Sequence, residues 1–415
     1  MEIHLDKKFT DEPWANEAEE IVRKCVHCGF CNATCPTYQL LGHESDGPRG
    51  RIYLITQLLE GRPADRETRA HLDRCLLCRA CETTCPSGVQ YSRLLETGRV
   101  MIEQQQHRGG LERLQRKLMT WFIPNTELTQ TAVKLATPWR RLLPKSLESQ
   151  LPLPGKNLHR PASRHARRML LLGGCAQSSL TPETNAATSR VLDQFGITLI
   201  SEANSGCCGA VRLHTSERDK GLCDIRQRID SWWPDIQAGI EAIVSTASGC
   251  GVTVKDYGEL LKDDPEYADK AMTISRLTVD LSELIYVESE KAPPHPQPRP
   301  GSRVAFHSPC TLQHGQRITG RVETILRQYG FTVVAVNDAH LCCGSAGTYS
   351  LLQPVISKQL RVNKLKNLQN IPVDVIATAN VGCQLHLRQE AKVPVLHWIE
   401  LLDNNDAHAS FRAHS

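Results

Sequence analysis

Eight cysteines between positions 25 and 85 form two runs of the same pattern, Cys25-Cys28-Cys31-Cys35 and Cys75-Cys78-Cys81-Cys85. Each is spaced C-x2-C-x2-C-x3-C and each is followed by proline. This is the bacterial ferredoxin run, in which three close thiolates wrap three irons of one cubane. The fourth, held in another direction by the proline, reaches a second cubane. Two such runs can satisfy each other. One 4Fe-4S cluster is therefore assigned to Cys25, Cys28, Cys31 and Cys85, and a second to Cys75, Cys78, Cys81 and Cys35. Four-cysteine zinc sites also use thiolates at short spacing, but they seldom need a fourth cysteine followed by proline in both copies.

Seventeen cysteines in 415 residues is an odd number, so they cannot all pair. At about 4 % they are dense for an intracellular enzyme and sparse for a disulfide-stapled secreted domain. The N-terminus, MEIHLDKKFTDEPW, lacks a basic-then-apolar leader layout, and no apolar run approaches the roughly 18 residues of a membrane span. The expectation is a soluble chain in a reducing compartment, with cysteines serving as ligands.

From Met169 the sequence repeats itself. MLLLGGC ends at Cys175 and VAFHSPC at Cys310; a helical stretch follows in each copy, closed by Phe195-Gly196 and by Tyr329-Gly330. A short strand-like run then leads to Cys207-Cys208-Gly209 and to Cys342-Cys343-Gly344, and a second one to Cys250 and Cys383. Corresponding cysteines are 135, 135 and 133 positions apart, as expected of a duplicated domain. A vicinal cysteine pair does not readily close a relaxed disulfide, and the following glycine would let backbone pass close to a bound group. Cys175, Cys207, Cys208 and Cys250, and likewise Cys310, Cys342, Cys343 and Cys383, are candidate extra cluster or metal sites. Structural or redox-active thiols are the other readings. Cys223 lies outside both sets and reads as a buried core residue.

The elements that must position these groups follow from the pattern. RGRIYLITQLLEG after Pro48 reads as a helix carrying the chain from one ferredoxin run to the other. Leu111, Leu114, Leu118, Met119 and Phe122 recur at helical spacing. The alternation after Met169 predicts two α/β units with parallel sheets and cysteines at strand ends. The expected whole is an α+β multidomain chain: a mainly helical two-cluster ferredoxin domain over 1–100, a basic helical and linker segment over 101–165, a first cysteine-rich repeat over 166–290, a proline-rich linker over 291–302, and a second repeat over 303–405.

Net charge is only +4 and aromatics are few and scattered, which argues against a nucleic-acid partner. Residues 101–170 nevertheless hold 13 Lys/Arg against 4 Asp/Glu. A solvated face is one reading; docking to an acidic partner or to anionic lipid is the other. Neither a G-x-G-x-x-G fingerprint opening a helix nor a G-x-x-x-x-G-K-[ST] loop is present, so no nucleotide site is indicated. Iron-sulfur clusters pass electrons singly, whereas organic substrates release them in pairs, so a flavin on another chain would bridge the two.

The repeats resemble the CCG cysteine-rich domains of the heterodisulfide reductase family, which end in C-x-x-C. Here Cys250 is followed by Thr253 and Cys383 by His386 at that last position, with His386 a candidate substitute ligand. Taken together, CVHCGFCNATCPTYQLLG, GPRGRIYLITQLLEG, CRACETTCPSGV, TASGCG, HLCCGSAGTY and HWIELL resemble the iron-sulfur subunits of bacterial glycolate oxidases over about residues 20–403. The resemblance implies a complex with two FAD-type flavoprotein subunits that oxidise glycolate to glyoxylate, with FAD on those partners only. Electrons would leave through this chain toward a quinone-type acceptor, from a cytoplasmic position with peripheral membrane contact. Iron-sulfur subunits of glycerol-3-phosphate dehydrogenase or of lactate utilisation share the layout. A disulfide reductase acting at the repeats, or a zinc-stabilised scaffold, would be a different class of protein.

Overall fold

The computed structural model describes residues 1–152, 158–201, 206–291 and 301–403. The first hundred residues are helical, and the helices form around the cysteine runs. Helix α1 (Pro13–Arg23) has proline at its start, buries Ala15, Ala18, Ile21 and Val22, and closes a Glu19–Arg23 pair at 2.6 Å on its outer face. After the first run come α2 (Phe30–Ala33), α3 (Pro36–Leu41) and α4 (Pro48–Leu59), the helix expected between the runs. The second run lies between α5 (Arg66–Asp73) and α7 (Tyr91–Gln105), with the short α6 (Ala80–Thr84) inside it. Helices α4 and α7 cross at Gly98, where a Cβ would sit 2.7 Å from Ile55 Cγ1. Ile52, Ile55, Leu58 and Leu59 from α4 and Leu94, Leu95, Met101 and Ile102 from α7 form the core of this unit. Each contributes about 1.5–3 kcal/mol by leaving water.

The basic segment follows as α8 (Gly110–Phe122) and α9 (Thr126–Ala136), the latter capped by Asn125 accepting from the Leu128 N–H at 3.1 Å. The periodic apolar residues of α8 do not face a core. Leu111, Leu114, Leu118 and Trp121 are exposed, and Met119 alone of its large apolar side chains is buried. Part of the positive charge is paired. Arg108 pairs with Asp73, Glu103 and Glu112; Arg164 with Asp193; Arg167 with Glu241 and Glu288.

Each repeat is a four-stranded parallel sheet with helices on its faces. In the first, β1 (Arg167–Leu172), β2 (Ile197–Ser201), β3 (Ile243–Ser245) and β4 (Thr278–Asp280) run in the order β2-β1-β3-β4. In the second, β5 (Arg303–His307), β6 (Thr332–Val334), β7 (Val375–Thr378) and β8 (Val395–His397) run in the order β6-β5-β7-β8. Met169–Leu172 of β1 and all of β7 are buried, which is why MLLL and VIA read as continuous apolar runs and not as alternation. Gly196 (φ 72°) and Gly330 (φ 85°) adopt the left-handed conformation that ends the preceding helix, so the aromatic-glycine pairs mark helix ends.

The two repeats are not independent beads. Leu192, Ile197 and Ile285 share one core with Val304, Ile325, Ala377 and Trp398. His397 Nε2 lies 2.8 Å from the Thr246 carbonyl, the Ser248 N–H donates to the Ala379 carbonyl at 3.1 Å, and Thr184 donates to Glu400 at 2.7 Å. The proline-rich stretch between them falls largely outside the described residues. Among the described residues no helix is long and apolar enough to cross a membrane.

Candidate iron-sulfur sites

The two ferredoxin runs fold as copies. His27 and Gly29 between the first three cysteines of one run, and Leu77 and Arg79 in the other, all have positive φ, between 53° and 84°. This winds each triplet into a tight concave loop. Cys35 and Cys85 then leave α2 and α6 in extended backbone, imposed by Pro36 and Pro86, and so point away from their own triplets.

Two adjacent cavities result. One is lined by Cys25, Cys28, Cys31 and Cys85, with Cys81 at its edge; the other by Cys35, Cys75, Cys78 and Cys81. Pro48 and Tyr91 line both, and the remaining walls are mainly apolar. They differ in exposure. Cys28 is exposed beside Val26 and Phe30, which are 67 % and 61 % exposed. The second cavity is covered: Leu76 and Cys78 pack with Cys310, Cys342, Tyr349 and Leu360 of the second repeat, and the Tyr349 hydroxyl donates to the Arg74 carbonyl at 3.0 Å.

The donor chemistry fits iron. Burial and then the neighbouring Cys25 push the Cys31 thiol up to about 11. Cys78 is raised far higher by burial and Cys310, and Cys81 by burial and Cys78. Thiols crowded in this way ionise only when a cation joins them. Each set also has a guanidinium beside it. Arg49 lies against Gly29, donates to the His27 carbonyl at 3.4 Å and is held by Glu44 at 2.7 Å. Arg51, 1 % exposed, lines the second cavity, donates to the His71 carbonyl at 2.7 Å and to Thr37 at 3.1 Å, and faces Asp46 at 3.6 Å. Burial opposes its charge, but Tyr91, Cys75, Cys35 and Asp46 around it hold its pKa above the ordinary arginine value. Sequence reasoning missed both arginines; the signal was two cations in the first turn of a helix that is mainly apolar beyond them.

In the first repeat the thiols of Cys175, Cys207, Cys208 and Cys250 make a continuous series at the carboxyl ends of β1, β2 and β3. Hydrogen bonds from Cys175 and Cys208 pull the Cys207 thiol well below its usual value. A polar cavity of about 420 Å³ opens beside Cys207, walled by Asn125, Glu127, Asp224 and Arg228, with Asp224 pushed up to about 6 by burial and by Cys207. In the second repeat Cys310 Sγ is 3.8 Å from Cys342 Sγ, and Cys343 and Cys383 continue the series.

Two expectations need correction. Gly209 and Gly344 (φ 90° and 91°) do not make room for a bound group: a Cβ there would meet Gly221 O at 3.0 Å or Ser357 O at 2.6 Å, so each lets the loop close on the following helix. Cys223 is exposed, because the helix Arg218–Gln237 buries Ile225, Ile229 and Trp232 on another face. His386, a candidate substitute ligand that reads equally as an ordinary hydrogen-bonded residue, turns to Ser357, whose hydroxyl and carbonyl oxygens lie 3.3 and 3.4 Å from its Nε2.

Residues 21–89 match the 4Fe-4S dicluster domain family, and residues 169–255 and 304–388 each match the Cysteine-rich domain family. Fold and thiols thus define a dicluster iron-sulfur protein carrying a duplicated cysteine-rich module. The glycolate oxidase iron-sulfur subunit of Escherichia coli (strain K12) is 50 % identical over 405 residues, covering 97 % of this chain and 98 % of that one. A probable glycolate oxidase iron-sulfur subunit of Bacillus subtilis (strain 168) is 29 % identical, over 91 % and 92 %. Lactate utilization protein A of Geobacillus thermodenitrificans (strain NG80-2) is 24 % identical, over 53 % of this chain and 92 % of that protein. The chain belongs to the family of glycolate oxidase iron-sulfur subunits.

Proposed function

We propose that this chain is the electron-transfer subunit of a glycolate-oxidising complex. Two FAD-type flavoprotein partners turn glycolate into glyoxylate, and the electrons pass through this chain toward a quinone-type acceptor. Cys25, Cys28, Cys31 and Cys85 hold one 4Fe-4S cluster, and Cys75, Cys78, Cys81 and Cys35 the other, within a ferredoxin unit over 1–100. The segment 101–165, the first repeat over 166–290, the linker 291–302 and the second repeat over 303–405 complete the division, with the two repeats joined through a shared core. When bound, such clusters take up and release single electrons. The observation that carries the reading is the pair of adjacent cysteine-lined cavities sharing Pro48, Tyr91 and Cys81, one with Cys28 exposed and the other packed against the second repeat through Cys78. The apolar walls exclude water, Arg49 and Arg51 offset the negative charge of each thiolate set, and Val26 and Phe30 offer an apolar rim around Cys28 for a partner.

Anaerobic purification with and without the flavoproteins tests this. The isolated chain is expected to bind no flavin and to leave a dye unreduced in the presence of glycolate; adding the partners restores dye reduction. Turnover by the chain alone would remove the subunit reading.

A cytoplasmic chain in peripheral contact with the membrane would use the face of α8, where exposed Leu111, Leu114, Leu118 and Trp121 lie among exposed Arg113 and Lys117. Binding to anionic vesicles is expected at about 0.1 M salt and to fall at about 1 M, as the Debye length drops from about 10 Å to about 3 Å. Changing Arg113 and Lys117 to glutamine should act like high salt. Vesicle recovery that ignores both would leave a solvated face.

A further inference from the structure

Tyr91, the first residue of α7, is 4 % exposed, and it lines both cysteine cavities. Its hydroxyl has no hydrogen-bond partner among the described residues. A buried tyrosine ordinarily rests its O–H on an acceptor, so an orphaned one in a wall common to two cavities calls for an explanation.

The groups around the hydroxyl narrow the answer. They are Cys75, Arg51 and Cys81. A guanidinium only donates, and Arg51 gives hydrogen bonds to the His71 carbonyl and to Thr37. Sulfur is left as the acceptor. Burial and then Cys75 hold the phenol well above its ordinary pKa, so it keeps the proton that it would share. An ionised sulfur accepts more strongly than a neutral thiol, and Cys75 Sγ takes the Leu77 N–H at 3.5 Å in the same way. The other set has no such donor: at the 50-residue offset between the two runs, Leu41, 40 % exposed, stands where Tyr91 does.

We propose that the Tyr91 hydroxyl donates a hydrogen bond to sulfur of the cluster held by Cys75, Cys78, Cys81 and Cys35, and so raises the reduction potential of that cluster alone. The inference rests on the two-cluster reading above. A hydrogen bond to sulfur favours the reduced, more negative state, whereas dry surroundings oppose it. The hydroxyl offsets the covering of this cluster, and an electron arriving beside exposed Cys28 is drawn inward.

Full-length protein purified anaerobically should hold about eight irons, and a redox titration followed by paramagnetic spectra should give one midpoint per cluster. The signal that survives in Cys85→Ala marks the cluster of the Cys75 set. Tyr91→Phe keeps the ring and removes only the hydroxyl. The midpoint of the marked signal should then fall by about 59 mV, a tenfold change in a one-electron equilibrium, while iron and the other midpoint stay in place. 3-Fluorotyrosine at position 91, a stronger donor of nearly the same shape, should move it upward. A marked midpoint that Tyr91→Phe leaves unmoved, or a fall in the other midpoint alone, would overturn the proposal. Iron well below about eight in the unaltered protein would overturn it together with the two-cluster reading, whereas full iron with an unmoved midpoint would leave that reading standing. Should Tyr91→Phe lose its iron, the fluorinated protein decides: an upward shift supports the hydrogen bond, and no shift or a downward one removes it.

Discussion

Changing Cys85 to alanine is expected to empty the site of the other run: iron falls from about eight to about four per chain, and the paramagnetic signal that disappears is that of the cluster held by Cys25, Cys28 and Cys31. Cys35→Ala should do the converse. The physical reason is the extended backbone that Pro36 and Pro86 impose on the fourth cysteine, which turns it out of its own triplet. Cys81 makes a sharp control, because it lines both cavities while belonging by position to the second triplet. Loss of the Cys75, Cys78 and Cys81 cluster in Cys85→Ala would mean that each run serves itself.

The second large effect concerns stability. Asp46 is 2 % exposed, faces Arg51 at 3.6 Å, and accepts hydrogen bonds from His71 at 2.9 Å and Arg74 at 3.0 Å. Asp46→Asn leaves Arg51 buried without its carboxylate, and removing one partner of a buried pair typically costs about 3–5 kcal/mol. Anaerobic urea unfolding of the cluster-loaded protein should show a loss of that size. Replacing both Asp46 and Arg51 with apolar residues should be milder, since no charge is then stranded. A loss below about 0.5 kcal/mol in Asp46→Asn, the range of an ordinary surface substitution, would show that the pair carries little. Removing Arg51 alone also takes a positive charge from beside Cys35 and Cys75, so the potential of the cluster there should fall.

What could be read from the sequence was local. The cysteine runs, the helix after Pro48, the aromatic-glycine helix ends and the duplicated alternation of strands and helices all depend on neighbours within a few residues, and each has its own signature. What could not be read depends on distant partners. The excess charge of residues 101–170 looked free because Asp193, Glu241 and Glu288, which neutralise Arg164 and Arg167, lie elsewhere in the chain. The apolar period of α8 announced a helix but not which side would be covered. Cys223 has the composition of a core residue and sits on an outer face. Tyr91 was one tyrosine among 8 until the fold set it against both cysteine cavities. The repeats looked separable because nothing in either copy indicates that Val304 and Leu192 share a core.

The covering of Cys78 also sets an order in time. The first cysteine cavity is built from residues 25–91, so its walls exist once that stretch has been synthesised and folded. The second is closed by Cys310, Tyr349 and Leu360, with a hydrogen bond reaching 275 positions from Tyr349 to Arg74. Domains fold from the N-terminus as the chain emerges at about 5–20 residues per second, which leaves an interval in which the second thiol set is formed but uncovered. Iron delivered in that interval meets an open site. Iron arriving later meets a site already packed against the second repeat.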